Sequence, residues 1–183
     1  MSRGNLAHVS HAVSGCLASV GDLWWGGTVN CLSTGSEMRI IESSIGIAAK
    51  PDVVWASIVD FEAYQEWNPF VIKGAGSAVV GSTLDFMFQL PGDKATRVRP
   101  TVRIAEPGRH LRWEGITLNR IILSGQHEFI LEPEGTGTTL LQREYFRGLA
   151  VPFIDKTIKW AEQGFHDMNR ALKERSEQAA SVD

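Results

Sequence analysis

Cysteine is scarce in this sequence of 183 residues, which contains only Cys16 and Cys31. Both lie near the N-terminus, so the rest of the chain cannot depend on a disulfide and offers no thiol nucleophile. A bridge between the two cysteines would need an oxidising compartment. Disulfide-stapled folds and cysteine-dependent catalysis are therefore excluded for everything that follows Cys31.

An excess of either charge is also missing, and so are long apolar runs. The 18 basic and 21 acidic residues give a net charge of −3 and a pI near 6.0. Nucleic-acid binders concentrate basic residues on one face, so we expect no nucleic-acid partner. The longest apolar runs are far shorter than the roughly 20 residues of a membrane-spanning helix, so we expect no integral membrane association.

Motifs for cofactor, phosphate or metal binding are absent as well. The sequence contains no glycine-rich phosphate loop, no dinucleotide-binding fingerprint and no Gly-x-Ser-x-Gly nucleophile elbow. It also lacks a Cys/His cluster or a His-x-x-x-His spacing of the kind that holds zinc. We therefore expect neither a cofactor nor a metal.

Residues 1–37 differ in composition from the rest of the chain. They are rich in Gly, Ser and Ala, carry Arg3 as their single basic residue, and show no sustained hydrophobic period. Three interpretations remain open: a disordered tail, a targeting peptide, and a misassigned start with translation beginning at Met38. A nonessential or misassigned extension fits best, because a targeting peptide would carry more arginine or a clear apolar region. The expected location is then the cytoplasm.

From Met38 onward the hydrophobic pattern predicts regular elements. A strand is expected over Met38–Ala48, two short helices over Asp52–Glu66, and a second strand over Phe70–Ala75. Pro51 suits the first turn of a helix, where its missing N–H needs no partner. Pro69 forces the residue before it out of helical geometry and so ends the second helix.

Five further strands are predicted after these elements. They are expected over Thr83–Leu90, Thr96–Ala105, Arg109–Thr117, Arg120–Glu132 and Thr138–Arg147. Residues that favour tight turns lie between them, as in Glu106-Pro107-Gly108 and Pro91-Gly92-Asp93. Such turns join neighbouring strands as hairpins, which predicts an antiparallel sheet.

A long amphipathic helix is predicted over Pro152–Ala179, because apolar residues recur there at three- and four-residue steps. Its buried stripe would comprise Phe153, Ile154, Ile158, Ala161, Phe165, Met168 and Leu172. No internal repeat or second domain is apparent. The chain is therefore expected to form one domain over residues 38–179, followed by a tail at 180–183.

Alternation along the strands assigns an inward apolar face. Its expected members are Leu84, Phe86, Phe88 and Leu90, then Val98, Val102 and Ile104, then Leu111 and Trp113. A turn at 106–109 places Val102 opposite Trp113. It likewise places Ile104 opposite Leu111, so that both apolar sets share one face.

The last predicted hairpin brings polar side chains to the same face. With a loop centred between Gly135 and Thr136, the pairs are Leu131 with Leu140, Phe129 with Gln142, and His127 with Glu144. Directly opposed residues have Cβ atoms about 5 Å apart, so His127 and Glu144 can share a hydrogen bond. The pair has two interpretations: a structural bridge that satisfies a buried carboxylate, or polar groups that orient a ligand or exchange a proton with it.

An internal pocket needs walls as well as polar groups. The candidate ligand-binding residues are Phe86, Phe88, Trp113, Phe129, Phe146 and Phe165, together with the polar His127, Gln142 and Glu144. Trp67 could form a lip of the pocket, or it could pack beneath the short helices while Asn68 caps a turn. The aromatic residues would equally fill a solid core, because a sheet that faces a helix carries such residues in any case.

Several short motifs occur together along the chain. They are Val54-Trp55, Trp67-Asn68-Pro69-Phe70, Glu106-Pro107-Gly108-Arg109-His110-Leu111-Arg112-Trp113, Gly125-Gln126-His127-Glu128-Phe129, and Gly137-Thr138-Thr139 leading to Glu144-Tyr145-Phe146-Arg147-Gly148-Leu149. With this set of motifs, residues 40–175 resemble the START-like (SRPBCC) superfamily, in particular its polyketide cyclase/dehydrase-like branch. The resemblance implies an α+β helix-grip fold, in which a seven-stranded antiparallel sheet wraps around the long C-terminal helix and two short helices follow the first strand.

The same resemblance implies a container for a small hydrophobic molecule. Proteins similar to this one bind lipids, sterols, polyketides, quinones or hormones, and a minority catalyse ring cyclisation or dehydration. We therefore expect binding or transport of a small hydrophobic ligand, such as a lipid or polyketide, in a cavity between the sheet and the C-terminal helix. The alternative is a cyclase or dehydratase in which His127 and Glu144 are the catalytic acid and base. The oligomeric state is left open by the sequence.

Overall fold

A computed structural model describes residues 38–89, 94–117, 121 and 123–181. The strands are β1 (Met38–Ile47), β2 (Val71–Ala75), β3 (Asp85–Phe88), β4 (Thr96–Val98), β5 (Thr101–Glu106), β6 (His110–Thr117), β7 (Leu123–Glu134) and β8 (Gly137–Arg147). The helices are α1 (Pro51–Val59), α2 (Tyr64–Trp67) and α3 (Asp155–Ala180), with 3₁₀ turns at Phe61–Ala63 and Val151–Phe153. The expectations for residues 1–37, including Cys16 and Cys31, lie outside the described residues. So do the turn at Pro91-Gly92-Asp93 and the predicted strand ends Leu90 and Arg120.

The two predicted short helices are present, and local hydrogen bonds explain where they begin and end. Pro51 is the first residue of α1. The hydroxyl of Tyr64 donates to a backbone carbonyl of α1 at 2.6 Å, and burial raises the pKa of this phenol, so the donor stays protonated. The Asn68 side-chain oxygen accepts the backbone N–H groups of Phe70 and Val71 at 2.9 and 2.8 Å. These bonds turn the chain from α2 into β2.

The described strands form two antiparallel sheets. The larger has the order β1-β8-β7-β6-β5 and the smaller has the order β2-β3-β4. The predicted α+β class, with antiparallel strands and a long C-terminal helix, is confirmed. The strand count differs, since the described residues contain five strands plus three where seven were expected in a single sheet.

The additional strand results from a break in the predicted strand Thr96–Ala105, where Pro100 separates β4 from β5. Proline has no N–H to donate to a strand ladder, so a continuous strand fails at this residue. The two sheets nevertheless remain joined here, because the Leu84 N–H donates to the Pro100 carbonyl at 2.8 Å. A single bridge between Thr83 and Thr101 completes the junction.

The register between β5 and β6 agrees with the prediction at one end and not at the other. Val102 lies opposite Trp113, as expected. The pairing of Ile104 with Leu111 was wrong, because a bulge between Val102 and Ile104 shifts the ladder by one residue and sets Ile104 opposite Arg112. A bulge inserts one extra residue on one strand. Beyond the bulge, the side chains of that strand therefore lie on the opposite face from the one expected.

The register of the last hairpin was predicted correctly. His127 lies opposite Glu144, Phe129 opposite Gln142 and Leu131 opposite Leu140. The turn that sets this register contains Gly135 in a left-handed conformation with φ of 60°. Glycine adopts that conformation without a steric penalty, which explains why a short turn forms at this position.

Helix α3 packs its predicted apolar stripe against the larger sheet. Buried positions along it are Ile158, Ala161, Phe165, Met168 and Leu172. The prediction for Phe153 was wrong: this residue is 86% exposed, because it lies in the 3₁₀ turn before α3 begins at Asp155. Within the described residues, no helix has the length and apolar character needed to cross a membrane.

The C-terminal half of α3 is attached to the end of β1 by a small network of polar contacts. The Glu177 carboxylate accepts the Ala48 backbone N–H at 2.7 Å and also the Lys173 ammonium. The same ammonium donates to the Gly46 carbonyl at 2.8 Å. Hydrogen bonds from Lys173 and Ala48 lower the pKa of Glu177 below its usual value of 4.5.

This network predicts a pH-dependent contribution of Glu177 to stability. Because the folded state lowers the pKa, the contribution is present above the unfolded value and is lost as the pH falls through the folded value. We expect Glu177→Gln to lower the free energy of unfolding by about 0.5 kcal/mol at neutral pH, a small value because solvent screens the pair. Urea denaturation of both proteins at pH 7 and near pH 3 measures the difference.

The matched control is Glu174→Gln, which removes an exposed carboxylate from the same helix. It should leave the unfolding free energy unchanged at both pH values. A difference between wild type and Glu177→Gln that persists unchanged at low pH would contradict the proposed role of the carboxylate charge.

Candidate functional site

A cavity of about 380 Å³ lies between the two sheets and α3. Its lining residues come from β3, β4, β6, β7, β8, α3 and the segments beside β2 and β5; they are Phe70, Phe88, Thr96, Val98, Pro100, Trp113, Gly115, Leu123, Gly125, His127, Glu144, Phe146 and Ala161. Most of these side chains are apolar or aromatic, and two of them, His127 and Glu144, are titratable. The site thus combines a mostly apolar lining with a small polar centre, as small-molecule sites commonly do.

Two glycines that face each other on neighbouring strands contribute no side chain to this space. Gly115 of β6 pairs directly with Gly125 of β7, and both line the cavity. They lie two residues from Trp113 and His127, which pair in the same way and face inward. Where Trp113 and His127 fill the interior with stacked rings, the glycine pair contributes no side chain, and the interior stays open.

Sequence reasoning overlooked this glycine pair. The available signal was a glycine in the interior of each of two predicted strands, which often marks a place where a ligand approaches the backbone closely. The relation between the two glycines could be seen only with the register of β6 against β7, which had not been assigned.

Glu144 supplies the polar centre of the cavity. Its Oε2 atom lies 3.2 Å from Nδ1 of His127, and its side chain is 19% exposed. The other oxygen lies over the backbone of Gly125, where an added Cβ atom would be 2.7 Å from Oε1. Gly125 therefore serves two purposes, since it leaves space for the cavity and for the carboxylate.

The hydrogen bonds around His127 assign its tautomer. Nε2 of His127 lies 3.1 Å from Nε2 of Gln142, which is an amide nitrogen and can only donate. With the Gln142 amide in this orientation, the His127 Nε2 atom accepts and its Nδ1–H donates to Glu144. Protonation of Nε2 would require the Gln142 amide to turn over.

His127 is well placed to orient Glu144 but poorly placed to meet a ligand through a ring nitrogen. Its ring stacks on Trp113 with centroids 4.9 Å apart and lies 4.9 Å from the ring of Phe165. Both ring nitrogens are occupied, one by Glu144 and the other by Gln142. Of the predicted acid–base pair, Glu144 is thus the member with an oxygen left for a ligand.

The predicted ligand-binding residues divide into two groups. Those that line the cavity are Phe88, Trp113, His127, Glu144 and Phe146. Phe86, Phe129, Gln142 and Phe165 do not line it, since they are buried in the core around it. Gln142 contributes indirectly through His127, and its amide also lies 3.5 Å from the sulfur of Met168.

Trp67 lies away from the cavity. Its ring meets the edge of Tyr64 at a centroid distance of 5.0 Å, and the Arg175 guanidinium lies 6.0 Å from its centre. Of the two interpretations of the Trp67-Asn68-Pro69 motif, the structure supports packing beneath the helices, with Asn68 holding the turn.

Phe70, the next residue along the same motif, lines the cavity and was not predicted to do so. Its ring fits closely against α3 because residue 164 is glycine: a Cβ atom there would lie 2.6 Å from the Phe70 ring. The motif therefore contributes to the cavity through its last residue.

Two other features of the described residues bear on the choice of site. No three His, Cys, Asp or Glu side chains are grouped so that they could hold a metal ion there. A second depression of about 680 Å³ lies between α1 and the end of α3, and charged residues such as Asp60 and Arg175 line it. These two charges lie 3.4 Å apart, so they already satisfy each other in an open surface groove.

Solved structures with the same fold have low sequence identity to this chain. The di-domain ARO/CYC StfQ of the steffimycin biosynthetic pathway has a TM-score of 0.66 at 16% identity, over 79% of this chain and 52% of StfQ. This chain thus spans about half the length of StfQ. The Zhui aromatase/cyclase from a Streptomyces species gives 0.65 at 16% identity, over 78% of this chain and 95% of its own.

Truncated norcoclaurine synthase from Thalictrum flavum has a TM-score of 0.61 at 14% identity, over 76% of this chain and 94% of the synthase. At these identities the likeness concerns the fold alone. No protein of curated function matches the sequence.

The sequence also matches a family over most of its length. Residues 38–177 match the family described as polyketide cyclase / dehydrase and lipid transport. The matched region begins at β1 and ends in the last turns of α3, so it includes every described element that lines the cavity. The resemblance drawn from the motifs is thereby confirmed, and the chain belongs to the polyketide cyclase / dehydrase and lipid transport family of the START-like (SRPBCC) superfamily.

Proposed function

We propose that the protein binds a small hydrophobic molecule, such as a lipid or polyketide, in the cavity between the sheets and α3. The observation that carries this proposal is an apolar cavity of about 380 Å³ in which Glu144 is the single carboxylate among the described lining residues. The volume lies within the range of small-molecule sites. The family description, which includes lipid transport, supports the same function.

Each part of the site has a role in this proposal. Phe88, Trp113 and Phe146 cover the apolar body of the ligand, and each Å² of apolar surface removed from water contributes about 25 cal/mol. Glu144 receives the polar end of the ligand through Oε1, while His127 holds Oε2 and fixes the direction of the carboxylate. The remaining aromatic residues of the core keep the walls in place.

A second candidate function is a cyclase or dehydratase, and the His127–Glu144 hydrogen bond favours it. Glu144 would remove a proton α to a carbonyl of the ligand and return it to a leaving hydroxyl. His127 would be a positioning residue, because both of its ring nitrogens are already engaged.

Binding without catalysis is the better supported of the two. Abstraction of an α proton leaves negative charge on the carbonyl oxygen, and enzymes place a donor or cation there to stabilise it. The described lining residues include no lysine, arginine or tyrosine that could serve in this way.

Filling the glycine gap tests the binding site. We expect Gly115→Leu to weaken binding of the neutral fluorophore N-phenyl-1-naphthylamine at least tenfold, because the new side chain occupies the cavity. A Cβ atom at this position would meet Val98 at 3.6 Å, an ordinary contact, so the fold should tolerate the change. Fluorescence titration measures the affinity, and urea denaturation checks that the unfolding free energy stays within about 1 kcal/mol of wild type.

Gly46→Leu is the matched control, since Gly46 lies in β1 and a Cβ atom there meets nothing within 4 Å. It should leave the affinity for the fluorophore unchanged. Equal binding by wild type and Gly115→Leu would show that the probe occupies another place and would overturn the proposed site.

The catalytic candidate predicts hydrogen exchange at an α carbon. In deuterium oxide, an enzyme with Glu144 as base should accelerate deuterium incorporation into 2-tetralone, which NMR detects directly. Glu144→Gln should reduce that rate to the uncatalysed level, while Glu132→Gln, a change at an exposed position, should not alter it. If the wild-type protein binds 2-tetralone without accelerating exchange, the binding function stands and the acid–base role of Glu144 fails.

A further inference from the structure

Resting on the proposed function, we infer that the cavity selects ligands whose polar end is a cationic amine and discriminates against carboxylates and other anions. The charges, the free hydrogen-bonding capacity and the aromatic character of the lining residues all favour an ammonium group.

Among the described lining residues, Glu144 is the acidic group, and none is lysine or arginine. Both ring nitrogens of His127 are engaged, Nδ1 by Glu144 and Nε2 by Gln142. The lining therefore offers a bound molecule a carboxylate and, among the described residues, no lysine or arginine.

Three arginines near the lining, Arg39, Arg97 and Arg99, pair with acids away from it. Arg97 and Arg99 alternate with the lining residues of β4, and both contact Asp85 on the other face. Arg39 lies in β1 directly opposite Phe146 of β8, but its side chain pairs with Asp155 at 3.4 Å. An anionic group on a ligand would find no described cation to meet it inside the cavity.

Glu144 has free hydrogen-bonding capacity towards the cavity. His127 occupies Oε2, and no donor among the described residues reaches Oε1, which lies above Gly125. A carboxylate oxygen can only accept hydrogen bonds, so its natural partner is a donor. A charged donor is favoured over a neutral one, since charge-assisted hydrogen bonds are about twice as strong.

Aromatic residues lie around the Glu144 carboxylate. Phe146 lies two residues further along β8 on the same face, and Trp113 stacks on the ring that holds Glu144. Phe70 and Phe88 are the other two phenylalanines of the lining, with ring centroids 5.2 Å apart. Aromatic faces attract cations, and the attraction increases where water is displaced. A carboxylate among aromatic rings thus suits an ammonium group joined to an apolar body.

Three probes with the same ring system test the inference: 2-naphthylmethylamine, 2-naphthalenemethanol and 2-naphthoic acid. At pH 7 the amine is a cation, the alcohol is a neutral hydrogen-bond donor and the acid is an anion. Low salt keeps the electrostatic differences between them large. Isothermal titration calorimetry with the wild-type protein, and displacement of N-phenyl-1-naphthylamine, should rank the amine tightest and the acid weakest, at least tenfold apart. Tightest binding of the alcohol or the acid would overturn the inference.

Glu144→Gln identifies the group responsible for the preference. It should weaken the amine about tenfold and change the alcohol by less than threefold, so that the preference for the cation disappears. Glu132→Gln, a surface change, should leave the ranking intact. An amine preference that survives in Glu144→Gln would overturn the assignment to this carboxylate.

The failure of the proposed function can be told apart from the failure of the inference. If no probe displaces the fluorophore, both the proposed function and the inferred ligand class are wrong. If the acid binds best, the cavity is a binding site and only the inferred ligand class is wrong.

Discussion

The absence of side chains at Gly115 and Gly125 is the constraint on which the rest of the site depends. On the inward face of β6 and β7, successive residue pairs are Leu111 with Phe129, Trp113 with His127, and Gly115 with Gly125. The first two pairs fill the space between sheet and helix with large side chains. The third contributes none, and the void falls at this position because side chains on a strand alternate between faces.

The same gap determines the chemistry that the cavity can offer. The carboxylate of Glu144 can lie over Gly125 because no Cβ atom occupies that place. On its other side, His127 holds the carboxylate through Nδ1, and Gln142 holds His127 through Nε2. Three side chains on two strands thus direct one oxygen into an apolar enclosure. Such an arrangement sacrifices packing and buries polar groups, a cost that proteins commonly accept at functional sites.

The sequence was a good guide wherever local geometry decides the outcome. The pairing of His127 with Glu144 followed from the turn at Gly135 and from the two-residue period of strands, and both are local properties. The prediction failed where a single residue shifts the pairing of two strands or interrupts a strand. The bulge between Val102 and Ile104 has no clear sequence signal, whereas the break at Pro100 could have been anticipated from the missing N–H of proline.

By itself, the sequence determined the order of the elements, the buried stripe of α3 and the polar pair on the last hairpin, because these depend on periodicity and turn residues. Only the tertiary structure decided which inward residues fill the core and which border empty space. Phe129 and Phe165 became core, while Phe70 reached the cavity from the segment after α2. The physical reason is that a cavity belongs to no single element: it depends on how closely two sheets and a helix approach, and on the side chains absent where they meet.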